Sequence, residues 1–268
     1  LRELQMSSPQ SIPRWVEQLQ SEGRYTFTRS EAEAFTGRSF VAVQSALRRL
    51  RQRGCIVSPR RGFYVIVPPE YRTVGSPPAS WFIDQLMGHL GQPYYVGLLT
   101  AAAAHGAAHQ QPMVFQVVTS KPTRAMSAGR VSIELFMSGK VEQTPVVEKQ
   151  TETGTMRVAT AEVTAFDLVR YPAGAGHLSN VATVLSELAE RIDVEALVTL
   201  APSMRLPDVQ RLGFLLESVG TSGRAEPLAA WLRGHCPRTV LLRPGGLPSG
   251  DRDPRWRVLV NEKLEPDL

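Results

Sequence analysis

An arginine-rich segment with a defined end most limits how this chain can fold. Apolar residues recur along it at helical spacing: Phe40, Val43, Leu47 and Leu50. This pattern predicts an amphipathic helix from about Ser39 to Arg53, which Gly54 ends, because the apolar positions share one face and glycine commonly follows a helix. We expect that face to pack on earlier helices, so that the arginines lie on the opposite, solvent-facing side.

The elements around this helix have an order typical of one small fold. A helix over 13–22, an extended stretch over 25–27 and a short helix over 28–35 precede it, and Thr28 and Glu31 have the spacing of a capping box. Two strands, 56–57 and 63–67, follow it and are joined by a turn over 58–62. This order predicts a winged helix-turn-helix domain over residues 1–68.

The positive charge of the chain lies in this same region. Residues 1–70 contain eleven arginines, no lysine and six acidic residues, so they carry the whole formal net charge of +5. The other residues are neutral overall. A positive field concentrated on a small domain predicts a polyanionic partner, and we expect double-stranded DNA rather than a membrane surface because no basic amphipathic segment accompanies the charge.

The candidate DNA-binding residues follow from the geometry of this motif. Its second helix reads base edges, where Gln44 suits adenine, Arg48 suits guanine or a phosphate, and Val41 suits a thymine methyl group. We expect a phosphate at the start of the preceding helix and backbone or minor-groove contacts from the hairpin. The full predicted set is Thr28, Arg29, Arg38, Ser39, Val41, Gln44, Ser45, Arg48, Arg49, Arg51, Arg60 and Arg61. The alternative is a solvated arginine face without a ligand.

The remaining sequence predicts a linker and a second domain. Residues 69–80 are rich in proline and read as a linker, and residues 81–268 read as a larger domain of mixed α and β structure. The overall fold class is therefore α+β. The predicted helices of the second domain are 81–90, 94–110, 164–170, 180–200, 207–219 and 226–234. Its predicted strands are 113–119, 131–137, 144–148, 156–163, 239–242 and 256–260.

Candidate catalytic residues are weak in this sequence. His105 and His109 could share a helix face, but two ligands without a third favour a packed or hydrogen-bonded pair over a metal site. Cys236 beside His235 is a poor nucleophile candidate, Cys55 reads as a core residue, and Asp167 reads as a structural or interaction residue. We therefore expect no enzyme activity, no cofactor and no metal. A DNA-targeted nuclease would have to use the loosely spaced Glu134, Glu142, Glu148 and Lys149.

Two further expectations concern the cellular compartment. No apolar run is long enough for a transmembrane helix, and the chain starts at Leu1 without a signal-peptide pattern. Its two cysteines suggest no disulfide framework. Together these features predict a cytoplasmic protein without a membrane partner.

Four segments resemble a known protein family. They are Gly62–Val65, the alanine-rich Tyr94–His109, the Thr-Ala-Phe-Asp-Leu-Val segment within 158–169, and 211–217. In this order they resemble the AbiEi-type antitoxins of type IV toxin–antitoxin systems, and the resemblance covers nearly the whole chain except 120–155.

The resemblance implies a two-domain bacterial protein with two roles. Its winged helix would bind inverted repeats in the promoter of its own operon and repress it. Its C-terminal domain would counteract a toxin of the nucleotidyltransferase fold, which in this family does not require a stable complex. A ligand-responsive regulator, with a small-molecule pocket in the C-terminal domain, is the main alternative.

Overall fold

The computed structural model describes residues 11–107 and 113–266. Within these ranges the chain has an α+β fold with ten α-helices and three sheets, a helical N-terminal region and a larger C-terminal part. The N-terminal elements are α1 (Ile12–Ser21), β1 (Thr26–Thr28), α2 (Arg29–Thr36), α3 (Phe40–Gln52), β2 (Ile56–Arg60) and β3 (Phe63–Ile66). The strands form an antiparallel sheet in the order β1-β3-β2, which gives the predicted winged helix-turn-helix arrangement.

Local signals explain where α2 and α3 begin and end. Thr28 and Glu31 form a complete capping box, and Gly37 ends α2 in the left-handed conformation. Gly54 adopts φ 67° directly after the last turn of α3. Glycine adopts this conformation without the strain that a Cβ would cause, so the predicted helix ends are confirmed.

The N-terminal core is formed by one face of α1, one face of α3 and the sheet. Val43, Leu47 and Leu50 are buried, as predicted, and they pack with apolar residues of α1 and β1. The prediction for Phe40 was wrong, because this side chain is 46% exposed. It lies at the first turn of α3, beyond the edge of the core, and the Arg29 guanidinium sits 4.9 Å from its ring centroid.

The turn that joins the two hairpin strands is shorter than the sequence predicted. Strand β2 extends through Ser58, Pro59 and Arg60, with an irregular register between Val57 and Arg60. The turn therefore consists of Arg61 and Gly62 alone, and Gly62 adopts φ 82°. A bulge lets Pro59 lie in a strand because it leaves a backbone position unpaired.

Residues 69–80, the predicted linker, contain two 3-10 turns, Pro69–Tyr71 and Ala79–Trp81. Ser76 is buried, and the backbone N–H of Arg130 donates to the Val74 carbonyl at 2.8 Å. A Cβ on Gly129 would approach the backbone of Gly75 to 2.5 Å, so this contact depends on glycine. The segment is thus tied to the C-terminal part; the division into 1–68, 69–80 and 81–268 stays a prediction.

A six-stranded mixed sheet forms the centre of the C-terminal part, in the order β6-β7-β5-β4-β9-β8. Its strands are β4 (Tyr94–Val96), β5 (Val114–Thr119), β6 (Met126–Ala128), β7 (Val131–Met137), β8 (Val146–Thr151) and β9 (Gly154–Ala159). The helices nearest to it are α4 (Ile83–Leu90), α5 (Leu98–Ala104) and α6 (Ala161–Arg170). Helix α6 is buried from Ala161 to Val169, so it runs through the core.

A helical layer and a small sheet complete the described chain. The helices are α7 (His177–Leu188), α8 (Val194–Leu200), α9 (Leu206–Ser218) and α10 (Ser222–Arg233). The small sheet contains β10 (Val240–Leu241), β11 (Asp251–Asp253) and β12 (Val258–Val260) in the order β10-β12-β11. Trp256 packs directly on Gly213 of α9, where a Cβ would lie 1.9 Å from the ring.

Several predicted boundaries were wrong. Residues 94–96 form a strand rather than the start of a helix, because Tyr-Tyr-Val pairs inside the sheet and Gly97 separates it from α5. The end of the predicted strand 156–163 belongs to the cap and first turn of α6. The predicted helix 180–200 is divided between α7 and α8, which begins at an Asp193 cap. Strands β6 and β11 were not predicted.

Candidate functional site

The solvent-facing side of α3 is the candidate nucleic-acid interface. Val41 is 73% exposed, and Gln44, Ser45 and Arg48 are exposed along the same side of the helix. Ser39 is the N-cap residue of α3, and its side chain makes no capping hydrogen bond. Buried Val43, Leu47 and Leu50 hold the opposite face against the core, so the exposed side chains are presented on a fixed support.

The arginines around this face are not neutralised by neighbouring acids. Across residues 11–107 and 113–266, no ion pair involves Arg38, Arg48, Arg49, Arg51 or Arg53, and all five are exposed. Arg49 donates one hydrogen bond to the Ser45 hydroxyl at 3.0 Å. A guanidinium carries five N–H donors, so these side chains retain donors and charge for an outside ligand.

Thr28 and Arg29 lie at the start of α2, as predicted, and both make contacts within the protein. The Thr28 hydroxyl and backbone N–H both donate to the Glu31 carboxylate, which occupies the start of α2 where we expected a phosphate. The backbone N–H of Arg29 donates to the Gly62 carbonyl, and its guanidinium lies 3.3 Å from Glu33. Both residues stabilise the protein's own structure, because a carboxylate already fills the anion position at the helix N-terminus.

The hairpin is docked on the C-terminal part rather than extended into solvent. The Arg60 guanidinium donates to the Arg124 carbonyl at 2.7 Å, and His89 Nε2 lies 3.2 Å from the Arg61 carbonyl. Phe63, in β3, is buried in the core of the C-terminal part. The backbone or minor-groove contact of Arg60 and Arg61 therefore stays a prediction; Arg60 is half-buried, and the Arg61 side chain is exposed.

A cavity of about 510 Å³ lies in the C-terminal part between α6, the end of β7 and the α8–α9 connection. Asp167 and Tyr95 form part of its buried floor, and the Tyr95 hydroxyl donates to Asp167 Oδ1 at 3.3 Å. Burial raises the pKa of Asp167 to about 7, opposed by the Tyr95 hydrogen bond and the Arg170 charge. Asp167 Oδ2 is buried and has no hydrogen-bond partner among the residues that the structure describes.

Charged groups also line this cavity. Lys140 Nζ donates to the Ser203 carbonyl at 2.5 Å, and Arg170 donates to the Ser138 hydroxyl at 3.4 Å. Asp208 lies 3.5 Å from Arg205 and 3.2 Å from Arg211. Burial raises the pKa of Asp208, although the neighbouring arginine charges oppose this effect.

We missed this cavity in the sequence because its residues are distant along the chain. Tyr95, Lys140, Asp167 and Arg205 belong to four separate segments, and only the folded sheet and helices bring them together. The one available signal was an acidic residue inside an apolar, capped helix, in Phe166-Asp167-Leu168. Buried carboxylates of this kind are rare without a partner.

The acidic residues that the sequence offered for a nuclease site do not lie together. Glu134 lies on β7 and Glu148 on β8, which are four strand positions apart in the sheet, or about 19 Å at a spacing of ~4.8 Å. The carboxylates of these two strands therefore cannot share a metal ion. Among the residues that the structure describes, no group of three or more His, Cys, Asp or Glu side chains has the arrangement of a metal site.

The histidines and cysteines have ordinary structural surroundings. His105 Nε2 lies 2.7 Å from the Ala159 carbonyl, while His109 lies outside the described residues. His235 stacks on Trp231 at 3.8 Å, and Cys236 is exposed. The expectation that Cys55 is a core residue was only partly right, since its side chain is half-buried.

These features define a winged helix-turn-helix protein with a C-terminal α+β domain. A family model described as "Transcriptional regulator, AbiEi antitoxin" matches residues 16–67, and one described as "AbiEi antitoxin C-terminal domain" matches residues 95–218. The chain therefore belongs to the AbiEi antitoxin family, as the sequence resemblance predicted. This assignment supports an antitoxin and regulator role.

Comparison with solved structures shows the same fold in another protein. The crystal structure of the RV2827C protein from Mycobacterium tuberculosis matches with a TM-score of 0.67 and 18% sequence identity. The match covers 92% of this chain and 89% of that chain. A search of curated proteins found no match. Across the described residues, every helix is too short or too polar to cross a membrane.

Proposed function

We propose that this protein is a cytoplasmic autorepressor that binds double-stranded DNA at inverted repeats in its own promoter. The observation that carries the proposal is the exposed face of α3. Its side chains form no ion pair with any residue that the structure describes, while the opposite face is fixed in the core. Helix-turn-helix proteins place such a face in the major groove. A solvated face without a ligand would not require this concentration of unpaired arginines.

The side chains of the proposed interface, on α3 and beside it, have two chemical roles. Gln44 can pair with adenine through its amide, Arg48 with guanine, and the exposed Val41 can touch a thymine methyl group. Ser39 and Ser45 lie with them in the part of the motif closest to the base edges. Arg38, Arg49, Arg51 and Arg61 supply phosphate contacts that fix orientation. Thr28 is engaged in the capping box. Arg29 and Arg60 each contact the protein, and their guanidinium groups still carry N–H donors for a phosphate at the edge of the interface.

Titration of a fluorescent promoter duplex with the full chain tests this proposal by anisotropy at one fixed salt concentration. We expect Arg48→Ala and Gln44→Ala each to weaken binding by about tenfold or more, since a lost bidentate base contact costs about 1–3 kcal/mol. Arg252→Ala is the matched control, because Arg252 is exposed on β11, away from α3. Wild-type affinity in both α3 variants would contradict the proposed interface.

We further propose that the C-terminal domain counteracts a toxin of the nucleotidyltransferase fold, without a stable complex being required. The match of residues 95–218 to the antitoxin C-terminal domain supports this role. Co-expression of the full chain with a nucleotidyltransferase-like toxin from the neighbouring gene tests it by growth rate. We expect growth to recover, and persistent arrest with soluble antitoxin present would contradict the proposal.

The two roles can be separated in the same assay. A Gln44→Ala/Arg48→Ala double variant changes two exposed side chains of α3 and leaves residues 95–218 intact. With toxin and antitoxin expressed from unrelated promoters, we expect this variant to restore growth as well as wild type does. Loss of rescue would show that counteraction depends on the α3 face rather than on the C-terminal domain alone.

A further inference from the structure

We propose that the C-terminal cavity binds a small organic molecule that carries both an acid group and a hydrogen-bond donor. This inference goes beyond the proposed DNA-binding and antitoxin roles. It rests on three observations about the cavity: an unpartnered acceptor on its floor, cationic side chains around it and apolar walls of suitable size.

The unpartnered acceptor is Asp167 Oδ2. This side chain is only 5% exposed and lines the cavity, yet within 11–107 and 113–266 Oδ2 has no hydrogen-bond partner. Leaving a buried polar atom unpaired costs about 1–3 kcal/mol, so such atoms are uncommon unless a ligand or water completes them. Oδ2 lies beneath the cavity floor, close to Gly97. A turn of the Asp167 side chain toward the cavity would let an O–H or N–H group of a bound molecule supply the missing donor.

The cationic side chains are Lys140, Arg170 and Arg205. Each has donors beyond its contacts within the protein: Lys140 gives one hydrogen bond to the Ser203 carbonyl, Arg170 one to the Ser138 hydroxyl, and Arg205 lies 3.5 Å from Asp208. Asp208 is the cavity's second acid and is shared with Arg211. The cations thus outnumber the acids, which favours an anionic group such as a carboxylate.

The walls and the volume favour an organic molecule over a lone ion. Val163, Phe166, Leu200 and Met204 supply apolar surface between the polar groups. The volume of about 510 Å³ lies within the range of ~300–1,000 Å³ that is typical of small-molecule sites. An apolar wall with a few converging polar groups holds a ligand in one orientation.

The test uses the full chain and three simple probes. 4-Hydroxyphenylacetate carries the acid and the donor, phenylacetate lacks the donor, and 4-hydroxyphenylacetamide lacks the charge. Each is titrated while backbone amide resonances are followed by NMR. We expect 4-hydroxyphenylacetate to shift resonances around the cavity, including Ser138, Asp167 and Ser203, and to bind at least tenfold more tightly than either analogue.

Two variants and a control connect this binding to the named groups. We expect Asp167→Asn and Arg170→Gln each to weaken 4-hydroxyphenylacetate binding by about tenfold or more. Arg191→Gln, an exposed arginine outside the cavity, is expected to bind as wild type does. Arg170 lies at the half-exposed end of α6, where a substitution disturbs the core less. Arg170→Gln therefore still tests the proposal if Asp167→Asn does not fold. Three silent probes, shifts outside the cavity, or equal binding by wild type and folded variants would overturn the proposal.

Discussion

Helices α3 and α6 place their charged residues in opposite ways. Helix α3 buries one side, and its arginines face solvent without an ion pair to any other described residue. Helix α6 is buried from Ala161 to Val169, and one of its two acids, Asp167, lines a cavity in the C-terminal part. An amphipathic helix thus presents its polar side chains to a large outside partner, whereas a helix inside the core can present one only to a small molecule.

Truncation on the two sides of α3 should change protein stability by very different amounts. Leu47 is 1% exposed, so Leu47→Ala should lower the free energy of unfolding by about 2–5 kcal/mol through lost burial and a residual cavity. Val41→Ala, on the exposed side, should change stability by less than about 0.5 kcal/mol. Urea denaturation followed by circular dichroism measures both. Similar losses in the two variants would show that the exposed side is part of the core.

The next prediction concerns Asp167 in α6. Burial raises the pKa of Asp167 to about 7, so the folded chain holds a proton there that the unfolded chain releases near the ordinary value of 3.8. Between about pH 4 and pH 7 the folded state therefore binds more protons, and this residue's contribution to stability falls as pH rises.

Comparison of wild type with Asp167→Asn isolates this contribution. Wild type should lose up to about 1.4 kcal/mol per pH unit relative to the variant across that window, with no further relative change above it. Urea unfolding at several pH values measures the difference. A difference that is independent of pH would mean that Asp167 titrates normally.

The N-caps of α2 and α6 should each make a smaller contribution to stability. The Thr28 and Thr160 side chains accept hydrogen bonds from Glu31 N and Val163 N, at 3.2 and 3.4 Å. Replacing either by alanine should cost about 1 kcal/mol of stability, and serine should restore most of it. Thermal unfolding gives the comparison. Promoter affinity should not change in folded Thr28→Ala; a selective loss of affinity would restore the predicted phosphate contact.

The sequence predicted what local patterns determine. The apolar spacing of α3, its end at Gly54 and the capping box of α2 each depend on residues a few positions apart, and all were confirmed. Strand β4 was predicted as helix because the alanines that follow it are helical and its own pairing depends on β5 and β9.

The candidate sites differ in the same way. The α3 face could be listed from one helical segment, so most of its predicted residues are exposed. The positions of Arg60 and Phe40 could not be predicted, because the first depends on a carbonyl 64 residues away and the second on the edge of the core. The cavity around Asp167 required the complete tertiary fold.

The salt dependence of promoter binding shows whether the exposed arginines of α3 contact DNA phosphates. Anisotropy titrations from about 50 to 200 mM salt should give a log–log slope on the order of −5 for wild type, as expected for about six phosphate contacts. An Arg49→Gln/Arg51→Gln variant should reduce that magnitude by about 2. A wild-type slope near zero, or an unchanged slope in the variant, would contradict the account.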